Sequence, residues 1–347
     1  MTTIRSYVDS FHQDEWTQQI NRVENQYGYI NSRNYFDARS TAQQAILFDV
    51  NKHNITLLPQ VNRGAKSYTD GKERSVETLA LKLAYFKHHD RLTAEDIQGW
   101  RTPGMQEPET YARAFAEKIT DMRLAADQTQ EYMKLQAFKG VFKTPDGAIV
   151  ADSFAEFGVT QQTIDFVLGT AATNVDQKIQ QLKRGIASNV KTGQSINAVE
   201  VLVDPSFFDK LINHPSIKTA YQYYVNSGAQ RLRDDLSQYM SWGVMDFFEH
   251  RGVRFIAYDA TFNLPNGTTE AAIATDTGHA YPLGVRDLFR SYYGPSNKLS
   301  EANQPGQEMF VRTYVDPRDE YVEFELEMAP LHFATNPAAL YRVTTSN

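Results

Sequence analysis

Three glutamates near the C-terminus, Glu323, Glu325 and Glu327, alternate with Val322, Phe324, Leu326 and Met328. A period of two puts all three carboxylates on one face of a strand. Paired carboxylates are what a glycoside hydrolase uses, one as acid and one as base or nucleophile. A plainer reading is the solvated or interface face of an antiparallel sheet, charged outside and apolar inside. That second reading needs no cleft and no further residues, and it is the one adopted. His88-His89-Asp90 resembles a fragment of a metal site, but neighbours on a strand point to opposite faces, so the two histidines cannot easily share an ion. His250 and His279 lie near turn signals and lack spaced partners. Ser195 follows Lys191-Thr192-Gly193-Gln194 rather than sitting in a G-x-S-x-G elbow. Gly71, Gly147 and Gly267 are single turn glycines, with no phosphate-cradling loop around them. No catalytic signature emerges, and the expectation is a protein that is not an enzyme and carries no cofactor.

Composition narrows the partners. The 347 residues carry 35 basic against 42 acidic side chains, a formal net charge of −7. Lysine and arginine form no long block, which disfavours tight binding to nucleic acid through phosphate neutralisation. An apolar content of 41 % is enough for a real core. Cysteine is absent, so disulfides and thiolate metal sites are excluded. The N-terminus has no apolar signal region, and no run of about 18 apolar residues occurs. A soluble chain made in the cytoplasm is expected.

The elements that would position these residues hang from one helix. From Glu109 to Lys139, Tyr111, Phe115, Ile119, Met122, Ala126, Thr129, Met133 and Ala137 recur in steps of three and four. This is one amphipathic stripe, with Arg113, Glu117, Lys118, Asp121, Arg123, Asp127, Glu131 and Lys134 mostly off it. Pro108 suits the first turn and Gly140 the C′ position. At about 1.5 Å per residue the rod would be on the order of 45 Å long, a spine exposed on one side.

Before the spine, the first 54 residues are polar and studded with aromatics, with candidate helices at Asp14 to Gln26 and Ser40 to Phe48. They read as an arm lying on something else. Ile55 to Gln60 and a period-two run through Leu79, Leu81, Leu83 and Tyr85 flank a polar tip. Strand, tip and strand make a two-stranded ribbon too small to stand alone. Thr93 to Asp96 looks like a capped helix start. After the spine, a hairpin turns at Pro145-Asp146-Gly147, and a helix over Asn174 to Val190 has Val175, Ile179, Leu182, Ile186 and Val190 on one face. Ala198 to Val203 is a strand, followed by Asp204-Pro205 opening a helix through Ile212. Ser216 to Tyr239 reads as mostly helical. Strands are expected at Val244 to Glu249, Val253 to Phe262, Thr269 to Thr275, Glu308 to Tyr314 and Tyr321 to Met328, the last stopped by Pro330. The mixture indicates an α+β fold. Its uncovered arm, ribbon and helix face would be covered by identical neighbours in a closed assembly.

Two stretches carry a resemblance over nearly the whole chain. One is LQAFKGVFKTPDGAIVADSFAEFGV with the helix that follows. The other is EANQPGQEMFVRTYVDPRDEYVEFELEMAPLHFATNPAALYRV, supported by FKHHDRLTAEDI before the spine. Their order and spacing resemble the major capsid proteins of tailed double-stranded-DNA phages, specifically the phage lambda major head protein (major capsid protein E) family. The resemblance implies the Hong Kong 97-type capsid fold, with an N-terminal arm at 1–54 and an extended E-loop at 55–99. It further implies a peripheral domain made of 100–165, which includes the spine, and 294–347, with an axial domain at 166–293. Hexamers and pentamers of the chain would build an icosahedral shell in the host cytoplasm, the virion capsid, away from any membrane. Inside it, packaged double-stranded DNA would be held without sequence-specific binding, and scaffold, portal and decoration proteins are possible further partners. Arg63, Lys66, Lys72 and Arg74 at the E-loop tip would meet a neighbouring subunit. The alternatives are an encapsulin-like compartment shell and a hydrolase built on the carboxylate strand.

Overall fold

The computed structural model describes residues 8, 13–22, 28–51, 76–98, 107–190, 194–226, 246–301 and 303–346. The chain opens with α1 (Gln13–Arg22) and one turn of helix, α2 (Tyr29–Ser32), then β1 (Asp37–Ser40) and β2 (Ala45–Asn51). β3 (Val76–Lys82), β4 (Phe86–Thr93) and α3 (Ala94–Gln98) lead to the long helix α4 (Glu107–Phe138). The hairpin β5 (Val141–Lys143) and β6 (Ile149–Asp152), α5 (Ser153–Glu156) and β7 (Gln162–Asp165) follow. Next come α6 (Val175–Asn189), β8 (Ala198–Val203), α7 (Pro205–Asn213) and α8 (Pro215–Asn226). A run of strands then fills the chain to its end: β9 (Phe247–His250), β10 (Val253–Ala257), β11 (Thr261–Asn263), β12 (Thr269–Ala271), β13 (Thr277–Leu283) and β14 (Phe289–Tyr293). The last are β15 (Phe310–Val315), β16 (Tyr321–Met328), β17 (Pro330–Ala334) and β18 (Tyr341–Thr344).

Three cores organise these elements. The first half of α4 packs with α1 on the sheet β15-β16-β4. Phe115, Ile119 and Met122 are buried there, and Phe115 meets Phe324 edge to face at 4.9 Å. The sequence stripe therefore faces where its periodicity directs it. Each such side chain contributes about 1.5–3 kcal/mol by leaving water. A second core lies under the six-stranded sheet β7-β18-β13-β8-β10-β9, where α6 and α7 cover Val199, Val201 and Val203. Both helices begin as their sequences dictate. Asn174 accepts a hydrogen bond from the Gln177 amide at 3.0 Å, and Asp204 accepts one from the Ser206 amide at 3.1 Å, with Pro205 in the first turn.

The third core joins the other two. Here the last turns of α4 are wrapped on all sides by the 29–36 segment, by β14 and β17, and by Tyr281 of β13. Phe138 stacks on Tyr281 with ring centroids 4.2 Å apart. Gly140 ends the helix with φ of 80°, and a Cβ there would lie 2.3 Å from the Phe154 ring, so only glycine fits. The helix is one-sided only in its first half. Arg123, Asp127 and Glu131, placed off the apolar stripe, are buried, because other parts of the chain cover the second half.

Several expectations change. Ser40 to Phe48 is not a helix: the segment ends β1, turns at 41–44 and continues as β2. β2 pairs with β3 from Ala45↔Lys82 to Asn51↔Val76, so the ribbon's described pairing belongs to Ala45–Asn51. Ile55 to Gln60 lies outside the described residues, as do 23–26 of the first predicted helix and 227–239 of the one after Ile212. Leu83 and Tyr85 leave the ladder after Lys82. Val253 to Phe262 is two strands, parted at 258–260. Pro330 begins a strand of a different sheet, where the first residue has no N–H bond to lose.

Candidate functional site

The carboxylate strand β16 sits between β15 and β4, with Glu323 opposite Arg91, Glu325 opposite His89 and Glu327 opposite Lys87. The alternation is real, but the face is not solvated along its length. Glu325 and Glu327 are 5 % and 2 % exposed. The chain between β14 and β15 folds over them and brings its own donors. Lys298 Nζ lies 2.5 Å from Glu325 Oε1 and 3.7 Å from Glu327 Oε1, and Lys87 Nζ lies 2.8 Å from Glu325 Oε2. Ser296 Oγ donates to Glu327 Oε2 at 2.8 Å, and Arg312 pairs with Glu301 beside them.

Burial pushes the Glu325 carboxyl upward, but the ammonium groups of Lys298 and Lys87 outweigh it and hold the group at about 2. The same Glu325 contact raises the pKa of Lys298. Burial, then Glu327, pushes the Tyr85 hydroxyl up to about 12. A general acid must keep a proton near neutral pH, and Glu325 is arranged to do the opposite. Two cavities, of about 90 and 270 Å³, lie elsewhere, lined by Tyr132 and Phe262 in one and by Arg123 and Lys134 in the other. The cluster is a buried ionic clasp that fastens the 296–301 segment to the sheet.

The other sequence candidates disperse. His89 Nδ1 lies 2.8 Å from Glu323, whereas Asp90 turns to Lys118 on the long helix at 3.0 Å. His250 bonds Asp176 at 2.6 Å and stacks on Phe248. His279 lies within β13, three residues past the turn at 275–276. No group of metal-binding type occurs among the described residues, and no described helix is long and apolar enough to cross a membrane. Arg63, Lys66, Lys72 and Arg74 lie outside the described residues.

Sequence reasoning missed a second buried polar system, where the 28–36 segment wedges between the long helix and the six-stranded sheet. Glu131, with no exposed surface, accepts hydrogen bonds from the amides of Ile30 and Asn31 at 2.9 and 2.8 Å and from the Tyr258 hydroxyl at 2.7 Å. Burial raises its pKa against the pull of those donors. Gly28, at φ of 103°, leaves the room Glu131 needs. Glu200 on β8, equally buried, accepts from Tyr35 at 2.5 Å, Tyr281 at 2.9 Å and Arg254 at 3.3 Å. Burial and the Glu200 charge together push the Tyr35 and Tyr281 hydroxyls well upward. These two carboxylates tie the arm, the long helix and the sheet into one unit. Each lies more than 90 residues from its arm partners, so no local pattern could reveal them.

The chain matches the family of phage major capsid protein E over residues 13–345. It is 32 % identical over 346 residues to the major capsid protein of Salmonella phage Felix O1 (isolate Felix O1-VT1), with 94 % of each chain covered. It is 28 % identical over 334 residues to the major capsid protein of Pseudomonas phage KPP10, covering 94 % of this chain and 95 % of the other. A crystal structure described as a prophage capsid protein from E. coli CFT073 superposes with a TM-score of 0.57 at 12 % identity, covering 97 % and 99 % of the two chains. At that identity the likeness concerns the fold alone.

Proposed function

We infer the function from family: this chain belongs to the phage major capsid protein E family. It is the major capsid protein of a tailed bacteriophage, a structural virion protein with the α+β Hong Kong 97-type fold that self-assembles into the shell. The observation that carries this is the 32 % identity to a phage major capsid protein along nearly all of both chains.

The finer reading is our own. Hexamers and pentamers of the chain form an icosahedral shell around double-stranded DNA, assembled in the host cytoplasm. Residues 1–54 act as the N-terminal arm, 55–99 as the E-loop, 100–165 with 294–347 as the peripheral domain, and 166–293 as the axial domain. The first core serves the peripheral strands and the second the axial sheet, which also takes in β7 and β18 from the ends of the two peripheral stretches, while the third core forms the joint. The ribbon β2–β3 leaves Leu47 67 % exposed, as suits a strand pair that another subunit covers. Its tip residues Arg63, Lys66, Lys72 and Arg74 reach acidic groups on that neighbour. Glu323, Glu325 and Glu327 work by charge, without turnover: Lys87 and Lys298 hold Glu325 ionised. A rigid subunit is what a shell needs, and the clasps at Glu131, Glu200 and Glu325 supply it. Scaffold, portal and decoration proteins join as partners of the assembled lattice.

The test is the content of purified shells. Nuclease-resistant double-stranded DNA in particles built mainly of this chain is the expected result. Shells filled with an enzyme and free of nucleic acid would turn the reading to a compartment protein.

A further inference from the structure

Many half-buried cations among the described residues have a carboxylate in reach: Lys143 has Glu270 at 3.1 Å, Arg254 has Glu200 at 3.3 Å, and Lys210 has Asp276 at 2.7 Å. Lys139 is among those that lack one, and it belongs to a cluster of polar groups. On the face of the six-stranded sheet that meets the long helix, Leu202, His279, Arg342 and Thr163 stand in one row across four adjacent strands. The row runs from core to solvent: Leu202 is buried, His279 half-buried, and Arg342 and Thr163 exposed. Lys139 joins it from the end of the long helix, close enough for its charge to act on His279. Neither Lys139 nor Arg342 has an ion-pair partner among the described residues; Glu270, whose charge acts on Lys139, is engaged by Lys143 and Tyr132.

His279 supplies the second observation. Its Nδ1 is sealed from solvent and has no hydrogen-bond partner. A buried N–H without an acceptor is costly, so the proton belongs on Nε2 and the bare lone pair on Nδ1. The imidazole then offers one donor, Nε2–H, in reach of the charges of two cations without ion-pair partners. Burial first, then the charges of Lys139 and Arg342, holds the imidazole down at about 3, and burial lowers Lys139 to about 8. An anion set among the three groups would relieve both.

We propose that Lys139, His279 and Arg342 form a binding site for a phosphate group, with the Thr163 hydroxyl at its outer edge. A tetrahedral oxyanion suits the set: Arg342 offers a forked pair of donors, Lys139 a point charge and His279 one neutral donor. The same chemistry admits free phosphate and a backbone phosphate of double-stranded DNA. Only the DNA source rests on the capsid reading, so the site is tested on the unassembled full-length chain, where shell formation plays no part.

The experiment measures inorganic phosphate binding by calorimetry and binding of a fluorescent DNA duplex by polarisation over a salt series. Arg342→Gln and Lys139→Gln are compared with Arg286→Gln, which removes the same charge from a side chain 91 % exposed. Saturable binding weakened severalfold by the two site variants, with Arg286→Gln like wild type, supports the site. In that case the duplex salt slope should fall by about one for Arg342→Gln. Binding of phosphate as well as duplex identifies free phosphate as a ligand, whereas duplex alone identifies the DNA backbone. No binding of either probe at low salt overturns the proposal, as does equal weakening by Arg286→Gln.

Discussion

Replacing Glu325 with Gln tests whether the carboxylate strand is a clasp. The side chain is 6 % exposed and held by Lys298 at 2.5 Å and Lys87 at 2.8 Å. Burial raises its pKa, the two ammonium groups lower it further, and the net value is about 2 against 4.5 for an ordinary glutamate. Since the folded value is the lower one, the stabilisation is fully present above about pH 4.5 and disappears as pH falls through about 2. At about 1.4 kcal/mol per pH unit, the gap corresponds to roughly 3 kcal/mol. Gln keeps the shape and loses the charge. Glu327 remains 3.7 Å from Lys298, and both lysines reach water, so part of the loss is recovered. Glu325→Gln should therefore cost about 2 kcal/mol at pH 7. Urea unfolding of unassembled subunits would measure it, and at pH 3 the difference from wild type should shrink by about half or more. A difference below about 0.5 kcal/mol at pH 7, or one equally large at pH 3, would refute the clasp.

Glu200→Gln leaves Arg254 without its buried partner and weakens three tyrosine contacts, so it should cost about 3 kcal/mol; urea midpoints near those of wild type would argue against the wedge. Met122→Pro removes a helix hydrogen bond amid the first core and should cost about 3 kcal/mol or more, leaving no soluble shells by sedimentation. Changing Arg63, Lys66, Lys72 and Arg74 together to Glu should leave circular dichroism unchanged and impair assembly. Wild-type shells should also loosen as salt rises, because exposed ion pairs are screened. Normal shells from that variant would remove the tip from the interface.

What the sequence made legible is what neighbours along the chain decide. The α4 stripe, the Asp204-Pro205 cap, the β8 valines and the Pro145-Asp146-Gly147 turn all depend on residues a few positions apart. Strands β13, β14, β17 and β18 escaped the reading. Their sequences mix His, Pro, Arg and Tyr with apolar residues, so no strict alternation of apolar and polar residues marks them as strands. The helix read at Ser40 to Phe48 failed for a related reason: pairing with Val76–Lys82 outweighed the propensity of its Ala and Gln residues. The face bearing Glu323, Glu325 and Glu327 was found by alternation, but its burial was not, since Lys298 and Ser296 arrive from a separate loop. Ile119, Met122 and Phe115 needed no such help.

Electron microscopy of the purified chain, expressed alone and concentrated, tests the central claim most directly. The account predicts closed icosahedral shells whose walls are made of this protein. A folded chain that stays monomeric across a wide range of concentration and salt would contradict it.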